Sequence, residues 1–425
     1  MLVTGRSSYP CAARRVRTFK MATSLKDTAA STIDASNQEL YELSSEIWKN
    51  PELGFKERKA HDLLTSFLER KGFAVERSFT GIETAFRATF GSGRPNVCVV
   101  CEYDALPEIG HACGHNLIAE AGVAAGLGLK AALQCSNAPK GQVTIMGTPA
   151  EEGGGGKVYL IQNGAFDDVD IALIVHPGPA TFVVPKLLAR YQLSVTYTGK
   201  ASHAAGFPWE GVNALDAAVL AYNSISVLRQ QMKPTWRVHG IFTNGGVKPN
   251  IIPEKSSLHF YIRAPNVTEL ETLIAKVKIC FEAAAKATGC EVVIEQPAPP
   301  YLDILGNSPF SKLYAENLQS LGVEFEYTHE LGWSSDIGNV SYLLPTIHPV
   351  YTIGSGKQVN HTHEFTEVAN TPEAHSATLT AAKAMAHTCI DVLTTEGLLK
   401  EIRKSFESGR AQCGPNIHAI AVGRN

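Results

Sequence analysis

The residues of this chain that could do chemistry gather in five short runs. EYDALP holds Asp104; GHACGHN holds His111, Cys113 and His115; TPAEEGG holds the adjacent carboxylates Glu151 and Glu152; IVHPG holds His176; NHTHEF holds His361 and His363. Imidazole, thiolate and carboxylate are the donors that hold zinc and related divalent cations, provided that they converge. Each run alone is ordinary, since paired glutamates usually mark a solvated surface and a lone His-x-His is more often not a metal site. Together they admit three readings. Metal-assisted hydrolysis would use all of them. Cysteine-dependent hydrolysis would use Cys113 with His115 as base, but residues two apart in a turn rarely reach that geometry, and Glu151 and Glu152 would stand idle. A non-catalytic scaffold that kept the fold would leave a full donor set without a purpose. EEGGGGK fails as a phosphate loop, because Glu151 stands at the first glycine and Val158 follows Lys157 where Ser or Thr is required. Cys98 and Cys101 form a Cys-x-x-Cys inside an apolar strand-like run, where they should point to opposite faces.

These runs need a scaffold, and the 425 residues are enough for two or three domains with a sizeable core. Apolar residues make up 44% and charged residues 19%, which argues against disorder throughout. The net charge of −3 gives no reason to expect nucleic acid or an anionic membrane as partner. No uninterrupted apolar run approaches the roughly 20 residues of a membrane span. The 9 cysteines are irregularly spaced, which suits free thiols in a reducing compartment, hence a cytoplasmic location. The first 20 residues carry Arg6, Arg14, Arg15, Arg17 and Lys20 and no acid, so mitochondrial targeting by a basic transit segment stays open beside a plain flexible extension.

Hydrophobic periodicity places helices over Asn37–Lys49, Lys56–Arg70, from His115 through Leu133, and over Glu373–Leu393, with apolar strands at NVCVVC, QVTIMG and DIALIV. The alternation predicts an α/β domain with a largely parallel sheet, whose functional groups sit in loops past the strand ends. Asp104, the glutamate pair and His176 fall in such loops. From about Leu188 the pattern becomes β-α-β-β-α-β, the ferredoxin-like α+β unit, closing at QPAPPYLD. The expected organisation is a flexible extension over 1–36, a discontinuous catalytic domain over 37–187 and 300–405, an inserted lid or dimerisation domain over 188–299, and a flexible tail over 406–425.

In order, EYDALP, HACGHN, PAEEGGGGK, VHPG, GKASHAA, GGVKPNIIPE, SSDIGN and NHTHEFTE resemble the aminoacylase/carboxypeptidase family of co-catalytic metallopeptidases, in its amidohydrolase branch. The resemblance covers about 37–395. It implies Cys113, His115, Glu152, His176 and His361 as ligands of two divalent ions, zinc or manganese. It takes His361 over His363 because the family reads His-x-Pro-x-Phe there. It implies Glu151 as general base, Asp104 as the group orienting a ligand, and His203 as a donor to the tetrahedral oxyanion, often across a homodimer interface. Asn250 and Arg263 would face the substrate, with Arg263 able to fork onto a carboxylate. The run WEGVNALDAAVLAYNSISVLRQQMKPTWRVHG is similar to branch members that cleave dipeptides with a basic C-terminal residue, β-alanyl ones included. The implied activity is hydrolysis of the amide bond of a dipeptide or N-acyl amino acid. Two positions depart from the pattern: Asn116 replaces an Asp, and Glu102 stands where the wider family has a ligating His. His348, His375 and His387 have no constellation and read as packing or surface.

Overall fold

The computed structural model describes residues 12–413, apart from Asn137 and Ser355, together with Ala421; side chains are described from Ser24 onward. Its central sheet has six strands in the order Ala74–Arg77, Phe86–Ser92, Gly141–Gly147, Asn96–Cys101, Ile171–Leu173 and Thr346–Ile347. The last four run parallel, and the first two are antiparallel at one edge. Asn96–Cys101 is buried on both faces, which is why it is apolar throughout. Val97, Val99 and Cys101 enter one apolar cluster while Cys98 and Val100 enter another, so the two cysteines do lie on opposite faces.

The helix His115–Leu133 lies on this sheet, packed also against Ala12–Ala35, Asn37–Lys49 and Pro372–Thr394. Its small residues set the distance: a Cβ at Gly122 would stand 2.4 Å from Cys101 Sγ, and one at Gly126 would stand 2.3 Å from Ile145 Cδ1. It is long and apolar enough to cross a membrane, but 83% of its apolar window is buried inside the fold, as a core helix requires.

The inserted unit has the antiparallel order Glu291–Glu295, Ala189–Thr198, Lys255–Ala264, Arg237–Asn244, with helices Ala214–Leu228 and Val267–Thr288 on one face. Numbered within the unit this is 4-1-3-2, the ferredoxin-like arrangement. Strand alternation divides the work: Tyr191, Leu193, Val195 and Tyr197 fill the unit's own core, while the intervening Arg190 and Gln192 are also buried. Asn213 and Asn266 cap the two helices with side-chain oxygens, as their positions before apolar runs predict.

Three expectations need correction. The segment 1–36 is not a flexible extension throughout: a helix spans Ala12–Ala35, and Leu25, Ala29 and Ile33 are buried in the main core. Burying such side chains contributes about 1.5–3 kcal/mol each for the larger ones, enough to hold the helix down. The basic residues up to Lys20, on which the transit reading rests, lie outside the residues whose side chains are described. The tail is not wholly free either, since a helix runs through Leu398–Ala411 with Ile402 and Phe406 buried, and Ala421 is buried with its carbonyl accepting from Asn339 Nδ2. Finally, DIALIVHPG is not one strand and a loop. It breaks after Leu173, and His176–Gly178 joins a second sheet with Val350–Thr352, Phe182–Lys186 and Glu326–Glu330.

Candidate metal centre

The ligating atoms of Cys113, His115 and His176 lie within 4.8 Å of one another, as do those of Cys113, Glu152 and His361, and those of His115, Glu151 and Glu152. Separate segments supply them. Gly114, at φ +74°, turns the chain so that Cys113 precedes and His115 opens the long core helix; a Cβ there would stand 2.5 Å from Pro177 Cγ. His176 starts its short strand in register with Val350. His361 is held at φ +68° with its N–H on Ala112 O, 2.8 Å. Ala150, also in the left-handed region at φ +58°, begins the turn that carries both glutamates. Such a conformation costs a non-glycine residue about 1 kcal/mol or more. Glu57 supports it, accepting from Ala150 N at 2.9 Å, and Gly155 N donates to Ala150 O at 2.9 Å.

The histidine tautomers are set by these neighbours. His115 Nδ1 donates to Asp104 Oδ1 at 3.0 Å, and His176 Nδ1 donates to the Pro177 carbonyl at 2.8 Å. Nε2 is thereby the nitrogen that each ring turns to the cluster; against its burial, the Asp104 charge raises His115 well above the ordinary range, so a cation bound at that Nε2 would take the place of a proton. Burial, with His115 beside it, pulls His176 down to about 4, which keeps it neutral. Asp104 also takes the Glu152 N–H at 2.8 Å, so one carboxylate aligns two members of the cluster.

His115 Nε2 stands 3.7 Å from Glu102, 3.9 Å from Glu151 and 3.8 Å from Glu152, too far for hydrogen bonds. Neither His115 Nε2 nor Glu152 Oε1 has a hydrogen-bond partner among the described residues. Buried polar atoms that converge without a hydrogen bond of good geometry are costly, and a divalent cation is what would satisfy them. Burial and the neighbouring Glu102, Glu152 and Asp336 hold Glu151 well above the usual carboxylate range. Glu152 goes the other way, to about 2: burial opposes this, but the His361 contact and the His115 charge outweigh it.

Glu102 and Asp336 belong to a different arrangement. Lys157 is fully buried and its Nζ lies 2.6 Å from Glu102 Oε1 and 2.5 Å from Asp336 Oδ1. An ammonium therefore occupies the position between these carboxylates. Asn116, the other departure, is buried and donates to Ser44 Oγ and the Ala369 carbonyl, tying down the helix rather than facing the cluster.

A cavity of about 230 Å³ opens onto the cluster, lined by Cys113, Glu151, Glu152, His176 and His361 among others. Arg263 lines it too, with Nη1 on Ser334 Oγ at 2.8 Å. His203 and Asn250 do not. They lie on the inserted unit, adjacent to each other across the His203–Ile251 bridge, and are exposed. His203 Nδ1 accepts from Ala205 N and Gly206 N at 3.2 and 2.9 Å, so Nε2 carries the proton and points a donor outward from that bond.

Arg190, Tyr301, Trp333 and His348 also line the cavity, and none of them was a site candidate in the sequence. His348 is buried beside His176, ring centroids 5.4 Å apart, and its sequence TIHPV repeats the strand-then-His-Pro pattern of IVHPG, which was the available signal. Arg190, in an otherwise apolar alternating strand, was marked only by being charged at a position that faces inward. His363 opens a short helix one residue past the Thr362 cap and is not in the cluster.

The model of peptidase family M20/M25/M40 matches residues 99–384. The chain is 49% identical to a Xaa-Arg dipeptidase of Mus musculus, over 90% of this chain and 92% of that one. It is 30% identical to a p-aminobenzoyl-glutamate hydrolase chain of Escherichia coli, over 88% and 93%. A dinuclear metal-binding peptidase from Bacillus subtilis shares the fold at a TM-score of 0.63 and 18% identity, covering 85% of this chain and 99% of that one. With a matched region running from the central strand into the last long helix of the core, and the convergent donors inside it, the chain belongs to peptidase family M20/M25/M40.

Proposed function

We propose that this chain is a dipeptidase that hydrolyses the amide bond of dipeptides with a basic C-terminal residue, β-alanyl ones included, and of related N-acyl amino acids. The observation that carries the proposal is the convergence of Cys113, His115, Glu152, His176 and His361, drawn from separate segments, around buried atoms that lack partners. These residues would hold two divalent cations. A thiolate with imidazoles favours zinc, and the carboxylate leaves manganese open. Bound there, the cations supply a water that is nucleophilic at neutral pH.

The chain's own residues account for the rest. Glu151, whose burial and acidic neighbours raise its affinity for a proton, is in its ionised form the general base that takes a proton from the attacking water and returns it to the leaving nitrogen. Asp104 fixes the tautomer of His115 and the position of Glu152. His203, with its proton on Nε2, is the donor to the developing oxyanion, and Asn250 beside it faces the substrate. Because both are exposed and outside the cavity of their own protomer, the proposal includes a homodimer, in which His203 of the partner subunit completes the site. Phe207 and Trp209, next to His203 on the inserted unit with ring centroids 6.0 Å apart and each at least 60% exposed, offer apolar surface for that contact. A cytoplasmic location is part of the same proposal, in keeping with cysteines that are free wherever they are described.

A Cys113 nucleophile is the poorer reading, because burial pushes its thiol well above the ordinary range and it would leave the carboxylates unused. A chelator decides between them. EDTA should abolish hydrolysis of a β-alanyl or Xaa-Arg dipeptide, and zinc or manganese should restore it. Activity that survives EDTA and falls only to a thiol alkylator would sink the metal reading.

A further inference from the structure

His348 has no part in the reading above, and packing alone does not account for it. It follows the short strand Thr346–Ile347, is 3% exposed, and has no hydrogen-bond partner at either ring nitrogen among the described residues. A neutral imidazole carries one N–H and one lone pair, so two polar atoms are stranded where an apolar ring would cost less. The ring lines the cavity over the donor cluster, 5.4 Å from that of His176 and at 88° to it. The backbone beside it is fixed, since His176 N donates to Pro349 O at 2.9 Å. His348 belongs to none of the convergent donor groups, so cations bound by those groups do not supply its missing partner.

Asn360 shows the same lack from a different segment. It lines the same cavity, and its Nδ2 donates to the Pro177 carbonyl at 3.1 Å, which also accepts from His176 Nδ1. A carbonyl can only accept, so the Asn360 amide turns its nitrogen there and its oxygen away. That oxygen is buried and has no partner among the described residues. Both orphans are therefore set around the His176–Pro177 step. Trp333 shares the wall, its ring 5.5 Å from that of His176, and indole is the aromatic that holds an ammonium best.

Buried acceptors without a donor call for a ligand that brings N–H groups. A dipeptide has one such group that an N-acyl amino acid lacks, its free amine. The other end of the choice is closed to a cation. Arg190, 6% exposed with Nε and Nη2 unpartnered among the described residues, and Arg263 also line the cavity, close enough for their charges to repel.

We propose that His348 and Asn360 hold the free amino group of the substrate, so that the cavity takes dipeptides in preference to N-acyl amino acids of the same shape. This rests on the dipeptidase reading and narrows its substrate class.

The test gives the metal-loaded enzyme β-alanyl-lysine and propanoyl-lysine, which has hydrogen in place of the amino group. The wild type should prefer the amine by about tenfold or more in kcat/KM, the scale of one hydrogen bond to a charged group. His348→Leu and Asn360→Ala should each raise KM for the dipeptide, change propanoyl-lysine far less, and cut the ratio more than about threefold; His348→Gln, which keeps an acceptor, should restore part of it. A structural role acting through His176 would instead lower both substrates together and reduce bound metal. A wild type with no preference, or a ratio within about threefold of the wild-type value in either variant, overturns the assignment without touching the dipeptidase reading. Failure of the wild type on both compounds and on every other dipeptide would remove that reading. Should His348→Leu not fold, the ratio of Asn360→Ala, at a half-buried position, decides.

Discussion

The two walls of this molecule that bear functional residues are built on opposite principles. The body surrounds its cluster with buried, mutually compensating charges: Lys157 between Glu102 and Asp336, Asp104 between His115 and the Glu152 N–H. The inserted unit instead leaves His203 and Asn250 in the open, next to apolar side chains that nothing described in the same chain covers. In the body, position is enforced by the penalty of any unpaired charge. In the inserted unit, local backbone contacts set only the ring of His203, and its relation to the cluster would be set by the proposed homodimer. Pre-organisation and completion of the site are therefore separable, and substitutions should distinguish them.

The largest effect is expected from Glu151→Gln, which should keep its metal content yet lose at least roughly a hundredfold, and up to about ten-thousandfold, in turnover. A variant as active as the wild type would remove the base from the body's wall. Lys157→Met comes next. It strands two buried carboxylates, so urea unfolding should show a loss of about 3–5 kcal/mol, and adding Asp336→Asn should recover part of it. An unchanged midpoint would mean that the buried charges do not define this wall. His203→Ala should lower kcat by about a hundredfold, near 3 kcal/mol, while leaving the melting temperature within about a degree. A large drop in melting temperature would show that the inserted unit uses His203 structurally, and the contrast would blur.

The smallest effect concerns pH. Burial, then the charge of Asp104, raises Glu57 to about 7. The folded state thus binds a proton between about pH 4.5 and 7 that the unfolded state releases, and this group lowers stability as pH rises through that window, by at most about 3 kcal/mol. Glu57→Gln should flatten the dependence there, as followed by thermal unfolding in a pH series. An unaltered slope would show that the Ala150 turn does not depend on the charge beneath it.

Much of the body was readable because it obeys short-range rules. NVCVVC is a strand buried on both faces, Thr371 before Pro372 caps the last long core helix, and the glycines of the helix after His115 mark close packing on the sheet. The inserted unit was equally legible, down to the order of its elements along the chain. The helix over Ala12–Ala35 was missed because its basic composition outweighs the spacing of Leu25, Ala29 and Ile33, which matters only once the core helices offer a groove. The break after Leu173 was missed because an apolar run carries no mark of the point where a strand leaves one sheet for another.

For the site, residue type, spacing and order offered the candidate donors, and the family resemblance carried by the eight motifs implied which of them would ligate. Only the tertiary structure decided which nitrogen of each histidine is free, that Lys157 neutralises Glu102 and Asp336, that Arg190 is buried without a counter-charge, and that His203 stands apart from its own cavity. Those facts depend on which charges end up within a few Å of one another in a medium that screens them poorly, and distance along the chain carries no information about that.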